Sequence, residues 1–249
     1  MERVIEKDWN LFKRVTNKPF VVVLTGAGIS QESGISTFRD ANGLWENHRI
    51  EEVASPEGWR KNPELVLQFY NLRRAQAHAV QPNTAHYALK DLENDFEVVI
   101  ITQNVDNLHE RAGSTNVLHL HGELSKVRST IDPTLIYEIG AKPIHIGDLC
   151  EKGSQLRPHI VWFGEEVPNI YPAMRIAQQA DFFMVIGTSL VVYPAAGLID
   201  EVKPKTPIFV VDPHIPMHVY DYPNVYAYAE KATTGVPKAI EKLKTFVNL

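Results

Sequence analysis

Five short apolar stretches punctuate the chain: Phe20–Leu24, Glu97–Ile101, Phe182–Ile186, Pro207–Val211 and, more weakly, Asn224–Ala227. Each is rich in Val, Ile and Phe, and apolar at successive rather than alternate positions. A strand half-buried against one layer alternates; a strand covered on both faces, as in a parallel sheet, does not. Helix-like stretches lie between them. Positions 63–80 contain no glycine and no internal proline, 104–112 close on Gly113 as a C-cap, 169–180 lead into a strand, and 236–247 end the chain. This alternation predicts an α/β fold with a doubly wound, mostly parallel sheet. Two stretches break it. Residues 40–82 are long and largely helical, and 125–156 hold no strong strand but several turn formers (Pro133, Gly140, Pro143, Gly147, Gly153). Read as two insertions, they form a small second domain, leaving 1–39, 83–124 and 157–249 as the main one.

Composition narrows the classes. The 249 residues are 44% hydrophobic and 22% charged, with a formal charge of −5. That balance gives no footprint for direct nucleic-acid binding. The longest apolar runs fall far short of the roughly 20 residues that span a bilayer, and Met1–Val15 lacks a signal-peptide core. A cytoplasmic address with no membrane partner is the expectation. Cys150 is the single cysteine, which excludes an internal disulfide and a zinc site built on several thiolates.

Chemistry-bearing residues cluster where strands end. The first strand runs into Gly26-Ala27-Gly28, a turn that lets backbone approach a diphosphate; Gly34 follows six residues after Gly28, so the spacing departs from the usual dinucleotide fingerprint. A tight structural turn is the competing reading. Phe38 and Arg39 follow, an arginine able to meet phosphate and an aromatic beside it. After the second strand, Gln103, Asn104 and Asp106 can recognise an amide and ribose hydroxyls, or simply cap a helix. In Leu118–Glu123, alternation puts His119 and His121 on one strand face, and a histidine there can act as a base near neutral pH. Arg157–Glu165 reads as a strand with an aromatic tip whose edge could receive an extended peptide. Gly187, Thr188 and Ser189 end the third strand and offer a second phosphate or ribose contact.

Taken in order, these segments resemble the sirtuin family: Gly26–Ser30 with Ser33-Gly34 and Phe38-Arg39, Thr102–Asp106, His119–Gly122, Val161–Glu165 and Gly187–Ser189. The resemblance runs from about Val21 to Asp212. It implies a Rossmann-like domain with a small domain made of two insertions, and NAD-dependent removal of acyl groups from protein lysines. It implies NAD held by Gly26, Ala27, Gly28, Phe38, Arg39, Gln103, Asn104, Asp106, Gly187, Thr188 and Ser189. His121, Asn104 and Arg39 would be catalytic, with His121 the general base. Val161, Phe163, Gly164 and Glu165 would pair with the substrate peptide. The products would be nicotinamide, O-acyl-ADP-ribose and free lysine. Within the family, Tyr70 and Arg73, three apart on a helix, resemble the pair that holds the carboxylate of succinyl, malonyl or glutaryl groups; Gly43–Glu46 and Ala75 look like the same branch. Acetyl removal can coexist. The alternatives are NAD glycohydrolase or ADP-ribosyltransferase chemistry, and a non-catalytic NAD sensor.

Two departures stand out. The family's four zinc cysteines are missing, with Ser129 near the first position and Cys150 alone near the second pair; His145 and Asp148 are poor substitutes, so no metal is expected. At Val210, where the family commonly has an asparagine near the adenine ribose, a valine cannot hydrogen-bond, and Asp212 or backbone would have to compensate.

Overall fold

The computed structural model describes residues 1–36, 44–45 and 48–247. In chain order, β1 (Glu2–Val4) precedes β2 (Phe20–Thr25), the short helix α1 (Gly28–Gln31), the two-residue strands β3 (Leu44–Trp45) and β4 (His48–Arg49), and helices α2 (Ile50–Val53), α3 (Pro56–Lys61), α4 (Pro63–Ala79) and α5 (Thr84–Leu92). Then come β5 (Glu97–Thr102), α6 (Leu108–Arg111), β6 (Val117–His119), β7 (Gly122–Ser129), β8 (Ile136–Glu138) and β9 (Leu156–Ile160). The C-terminal part holds α7 (Ile170–Ala177), β10 (Phe182–Ile186), β11 (Ile208–Val211), β12 (Val225–Tyr228) and α8 (Ala232–Lys244).

Six strands form one parallel sheet in the order β12-β11-β10-β2-β5-β6. Alternate residues of β2 enter opposite cores: Val22 and Leu24 join Val99, Phe183 and Ile176, while Val21 and Val23 join Ile100, Met184, Leu89 and Val236. Helices thus cover both faces, and this is why the apolar runs are unbroken. The chain travels from β2 outward to β5 and β6, then returns to β10 on the other side of β2. That reversal opens a crevice at the C-terminal strand ends, the place where doubly wound sheets bind ligands. Among the described residues, no helix is long and apolar enough to cross a membrane.

The second sheet, β1-β8-β7-β9, is antiparallel. Here the structure corrects the sequence reading of 125–156 as holding no strong strand. β7 is eight residues long, but Glu123, Ser125, Lys126 and Arg128 alternate with buried Leu124 and Val127, so one face is polar and the run looks like loop. β1 and β9 come from outside that stretch, so the second sheet draws on more chain than the insertion alone. Its core packs Leu67, Val127, Leu135, Tyr137, Ile139, Ile144, Cys150 and Leu156. A further correction concerns 104–112: only Leu108–Arg111 is helical. The Asp106 carboxylate accepts from the Leu108 N–H and Asn104 N–H donates to Thr102 Oγ1, so side chains hold this segment as a turn before the helix starts.

His86 and His109 are buried with ring centroids 4.9 Å apart. Burial drives both pKa values down, His86 to about 4 and His109 well below its ordinary value. Both histidines are therefore neutral in the fold but titrate near 6.5 when unfolded. Their contribution is present above about pH 6.5 and lost as pH falls towards 4. We predict that the unfolding free energy measured in urea drops by about 3 kcal/mol over that window from His86 alone. The decline should be shallower in His86→Gln; an equally steep one would assign the acid lability elsewhere.

Candidate functional site

Three strand exits converge on the crevice. After β2, Gly26 N–H donates to Ile186 O (3.0 Å) and Gly28 N–H to Gly187 O (2.8 Å), so the turn is stitched to the end of β10. A Cβ on Gly26 would lie 2.7 Å from Thr188 Cβ, and one on Gly28 would lie 2.6 Å from Gly187 Cα. Gly187 itself has φ +64°. Glycine is therefore required by backbone-to-backbone contact. Ala27 and Gly28 stay partly accessible at the crevice floor, and α1 starts there. The pattern suits a diphosphate brought close to main chain.

The β5 exit supplies amides. Gln103 Nε2 donates to Thr188 Oγ1 (3.2 Å), linking it to the β10 exit, and Ser189 sits partly exposed beside it in sequence. Asn104 Nδ2 donates to Gly26 O (3.1 Å) and Ser30 Oγ (3.2 Å). Asp106 is buried, and burial raises its pKa against the opposing bonds from Leu108 N–H and Ser30.

His121 lies just past the end of β6, half-buried, and not within the strand as alternation suggested. Its Nδ1 donates to Gln103 O (3.0 Å), which fixes the tautomer and leaves the basic lone pair on Nε2. Burial lowers its pKa, the Gln103 bond opposes this, and the charge of His119 lowers it further. His121 is thus neutral near pH 7. His119 behaves oppositely. Burial alone would depress it, but its hydrogen bond to Glu110, the fields of Glu123 and Glu110 and the Asn104 carbonyl raise it to about 9. Glu110, His119 and Glu123 bring ligand atoms within 4.8 Å of one another, but the His119 proton and the Lys126 ammonium on Glu123 already supply the positive charge there.

Tyr70 and Arg73 both turn inward from α4 and do not form an exposed helix face. Tyr70 OH accepts from Trp162 Nε1 (3.1 Å), and Arg73 reaches Ser36 Oγ and Gln76 Oε1 (both 3.4 Å). Trp162, deeply buried, went unremarked in the sequence reading, as did Arg74, which donates to Leu124 O (2.6 Å) and pins α4 to β7. Phe38, Arg39, Gly43 and Glu46 lie outside the described residues.

The 161–165 tip differs from its expectation as a strand. β9 ends at Ile160. Val161 N–H donates to His121 O, Phe163 N–H to Ala54 O and Glu165 N–H to Trp162 O. The Glu165 carboxylate accepts from Trp162 N–H (2.8 Å) and Arg157 (2.7 Å). Phe163 and Gly164 are exposed. Cys150 is buried, with Sγ 3.3 Å from Ser154 Oγ, which in turn is 2.8 Å from Ser129 Oγ; His145 and Asp148 sit on an exposed turn. Val210 packs in the interior, and Asp212 accepts from His214 N–H.

The comparisons with known proteins agree with one another. The Sir2 family model matches residues 26–194. An NAD-dependent protein deacylase of Helicobacter pylori is 56% identical over 204 residues, covering 80% of this chain and 89% of its own. One from Bacteroides thetaiotaomicron is 51% identical over 221 residues, covering 87% and 94%. A solved Sir2 homolog–NAD complex superposes with a TM-score of 0.82 at 40% identity, over 93% of this chain and 91% of the other.

The glycine contacts make a direct prediction. Gly28→Ala should lose stability by about 1–3 kcal/mol through overpacking against Gly187 backbone, read as a lower thermal midpoint. Gly197→Ala, whose Cβ would meet nothing nearer than 3.7 Å, should not.

Proposed function

The chain belongs to the Sir2 family, and on that premise we propose that it is an NAD-dependent protein-lysine deacylase with a preference for dicarboxylic acyl groups. The observation that carries the proposal is the meeting of three strand exits beside a neutral His121 whose Nε2 keeps its lone pair. Gly26, Gly28 and Gly187 bring the two turns into direct backbone contact, and Ala27 and Gly28 stay partly accessible there, which leaves main chain open to a dinucleotide's diphosphate. When bound, NAD would supply a ribose activated by its nicotinamide leaving group, so that acyl-lysine, NAD and one water would give nicotinamide, O-acyl-ADP-ribose and free lysine.

The chain's own residues divide the remaining work. Gly26, Ala27, Gly28, Gly187, Thr188 and Ser189 hold the adenosine and diphosphate side; Gln103, Asn104 and Asp106 line the ribose and amide pocket. Phe38 and Arg39 screen and position the reacting ribose. His121 Nε2 takes a proton from a ribose hydroxyl, a task suited to an imidazole that is neutral at working pH. Closure against water limits simple hydrolysis. Tyr70 can donate its phenolic hydrogen and Arg73 can fork onto a carboxylate; their inward position on α4 supports an acyl-carboxylate clamp. Because the N–H groups of Val161, Trp162, Phe163 and Glu165 and the Trp162 carbonyl are engaged, pairing with a substrate peptide falls on the other carbonyls of this tip and on Gly164. Glu165 supports that tip through Arg157.

The test is incubation with NAD and matched acetyl- and succinyl-lysine peptides, following nicotinamide and peptide mass. Free lysine with equimolar nicotinamide is expected; nicotinamide without free lysine would favour a glycohydrolase. Arg73→Met should depress succinyl removal about tenfold or more while acetyl removal changes less than about threefold; equal losses would refute the clamp. His121→Tyr should abolish deacylation in a protein that still folds, by circular dichroism.

A further inference from the structure

His119 and His121 hold consecutive carbonyls. His119 Nδ1 donates to Asn104 O (3.0 Å), and His121 Nδ1 donates to Gln103 O (3.0 Å). The far nitrogen of His119 donates to Glu110 Oε1 (2.7 Å), and its own backbone carbonyl accepts from Asn169 Nδ2 (2.9 Å). Only a doubly protonated imidazole can donate at both ends to two oxygen acceptors. The His119 ring is buried and Glu110 is more open, and both residues line a cavity of about 320 Å³ beneath the N-terminal segment.

The geometry assigns to Glu110 and His119 the role of a positioning pair for the general base. Together they fix the Gln103–Asn104 backbone from which His121 takes its orientation, and they keep a positive charge within electrostatic reach of that imidazole. The inference rests on His121 acting as general base in deacylation. The groups facing the pair include Asp106 on the β5 exit, Glu123, Lys126 and Arg128 on β7, Glu6 and Lys7 on the N-terminal segment, and His159 on β9. Lys126 already bonds Glu123 and lies 3.5 Å from Glu6, so its charge is balanced locally. Burial does most to keep His121 neutral, and the charge of His119 is the one that reaches it and adds to that effect. Glu110 sustains that charge against burial through its hydrogen bond and its field, with Glu123 and the Asn104 carbonyl adding to it, so removing the carboxylate takes away a main support of the protonated ring. Loss of either member therefore raises the His121 titration point and loosens the Asn104 carbonyl.

The experiment compares wild type, Glu110→Gln, His119→Gln and Glu110→Asp in two measurements. Histidine-selective NMR without substrate reads the His121 titration midpoint. The pH profile of kcat/KM with NAD and an acyl-lysine peptide reads its catalytic counterpart. In Glu110→Gln and His119→Gln the midpoint and the acid limb should move up together by roughly half a pH unit. In those variants kcat should fall about 3- to 10-fold while the KM for NAD stays within about twofold. Glu110→Asp, which keeps the charge, should return towards wild type. A purely structural role would lower the thermal midpoint and leave both pH readings in place, and an unmoved His121 midpoint overturns the proposal. If the wild type releases no free lysine but the midpoint still shifts, the pair stands and the deacylase reading falls.

Discussion

The site depends on a contact in which no side chain takes part. At the point where strand order reverses, the turn after β2 lies directly on the backbone after β10, with Gly26 and Gly28 against Gly187. Main chain meets main chain at a separation that a single methyl would prevent. This fixes two strand exits relative to each other, and the Gln103–Thr188 hydrogen bond adds the third. Catalytic geometry then follows from sheet topology, because all three exits are ends of one rigid parallel sheet.

Much of this was legible in the chain. Unbroken apolar runs could only be strands covered on both faces, and five of the six sheet strands were found that way; β6 was visible through its histidines. The polar groups were read at strand ends because α/β sheets put their ligand sites there, and the fold brings Gly26, Gln103, Asn104, Gly187 and Thr188 together at those ends. The second sheet was missed for a physical reason. β7 is half-exposed, with charged residues at alternate positions, and β8 is only three residues long. Neither carries enough apolar signal to stand out. The turn at 104–107 was read as helix because its side chains satisfy backbone groups that periodicity cannot register. The opposed charge states of His119 and His121, two residues apart, were equally hidden: they depend on Glu110, which the fold brings to one imidazole and not the other.

The small second sheet holds together among the described residues through packing and polar contacts. Ser129, Ser154 and Cys150 form a short hydrogen-bonded set where thiolates would have been expected on resemblance, over a core of Val127, Leu135, Tyr137, Ile139, Ile144 and Leu156. Asn71 adds a reciprocal clamp from α4, donating to Ile144 O and accepting from Ile144 N–H. Arg74 closes the same junction onto Leu124 O. Helix α4 thus carries structural contacts on Asn71 and Arg74 next to the inward Tyr70 and Arg73, so the proposed acyl clamp and the docking of the second sheet share a support.

The N-terminal segment is a further link between the two sheets, which Leu120 and His121 also join where β6 runs into β7. β1 forms the edge of the antiparallel sheet beside β8, and Trp9 is buried in the core under the parallel one. Only residues 5–8 span the gap, a length of chain that cannot exceed about 18 Å when fully drawn out. Any rocking of one sheet against the other as substrate enters and product leaves is therefore leashed at this end as well as at the β6–β7 link, by a segment that borders the same cavity as Glu110 and His119.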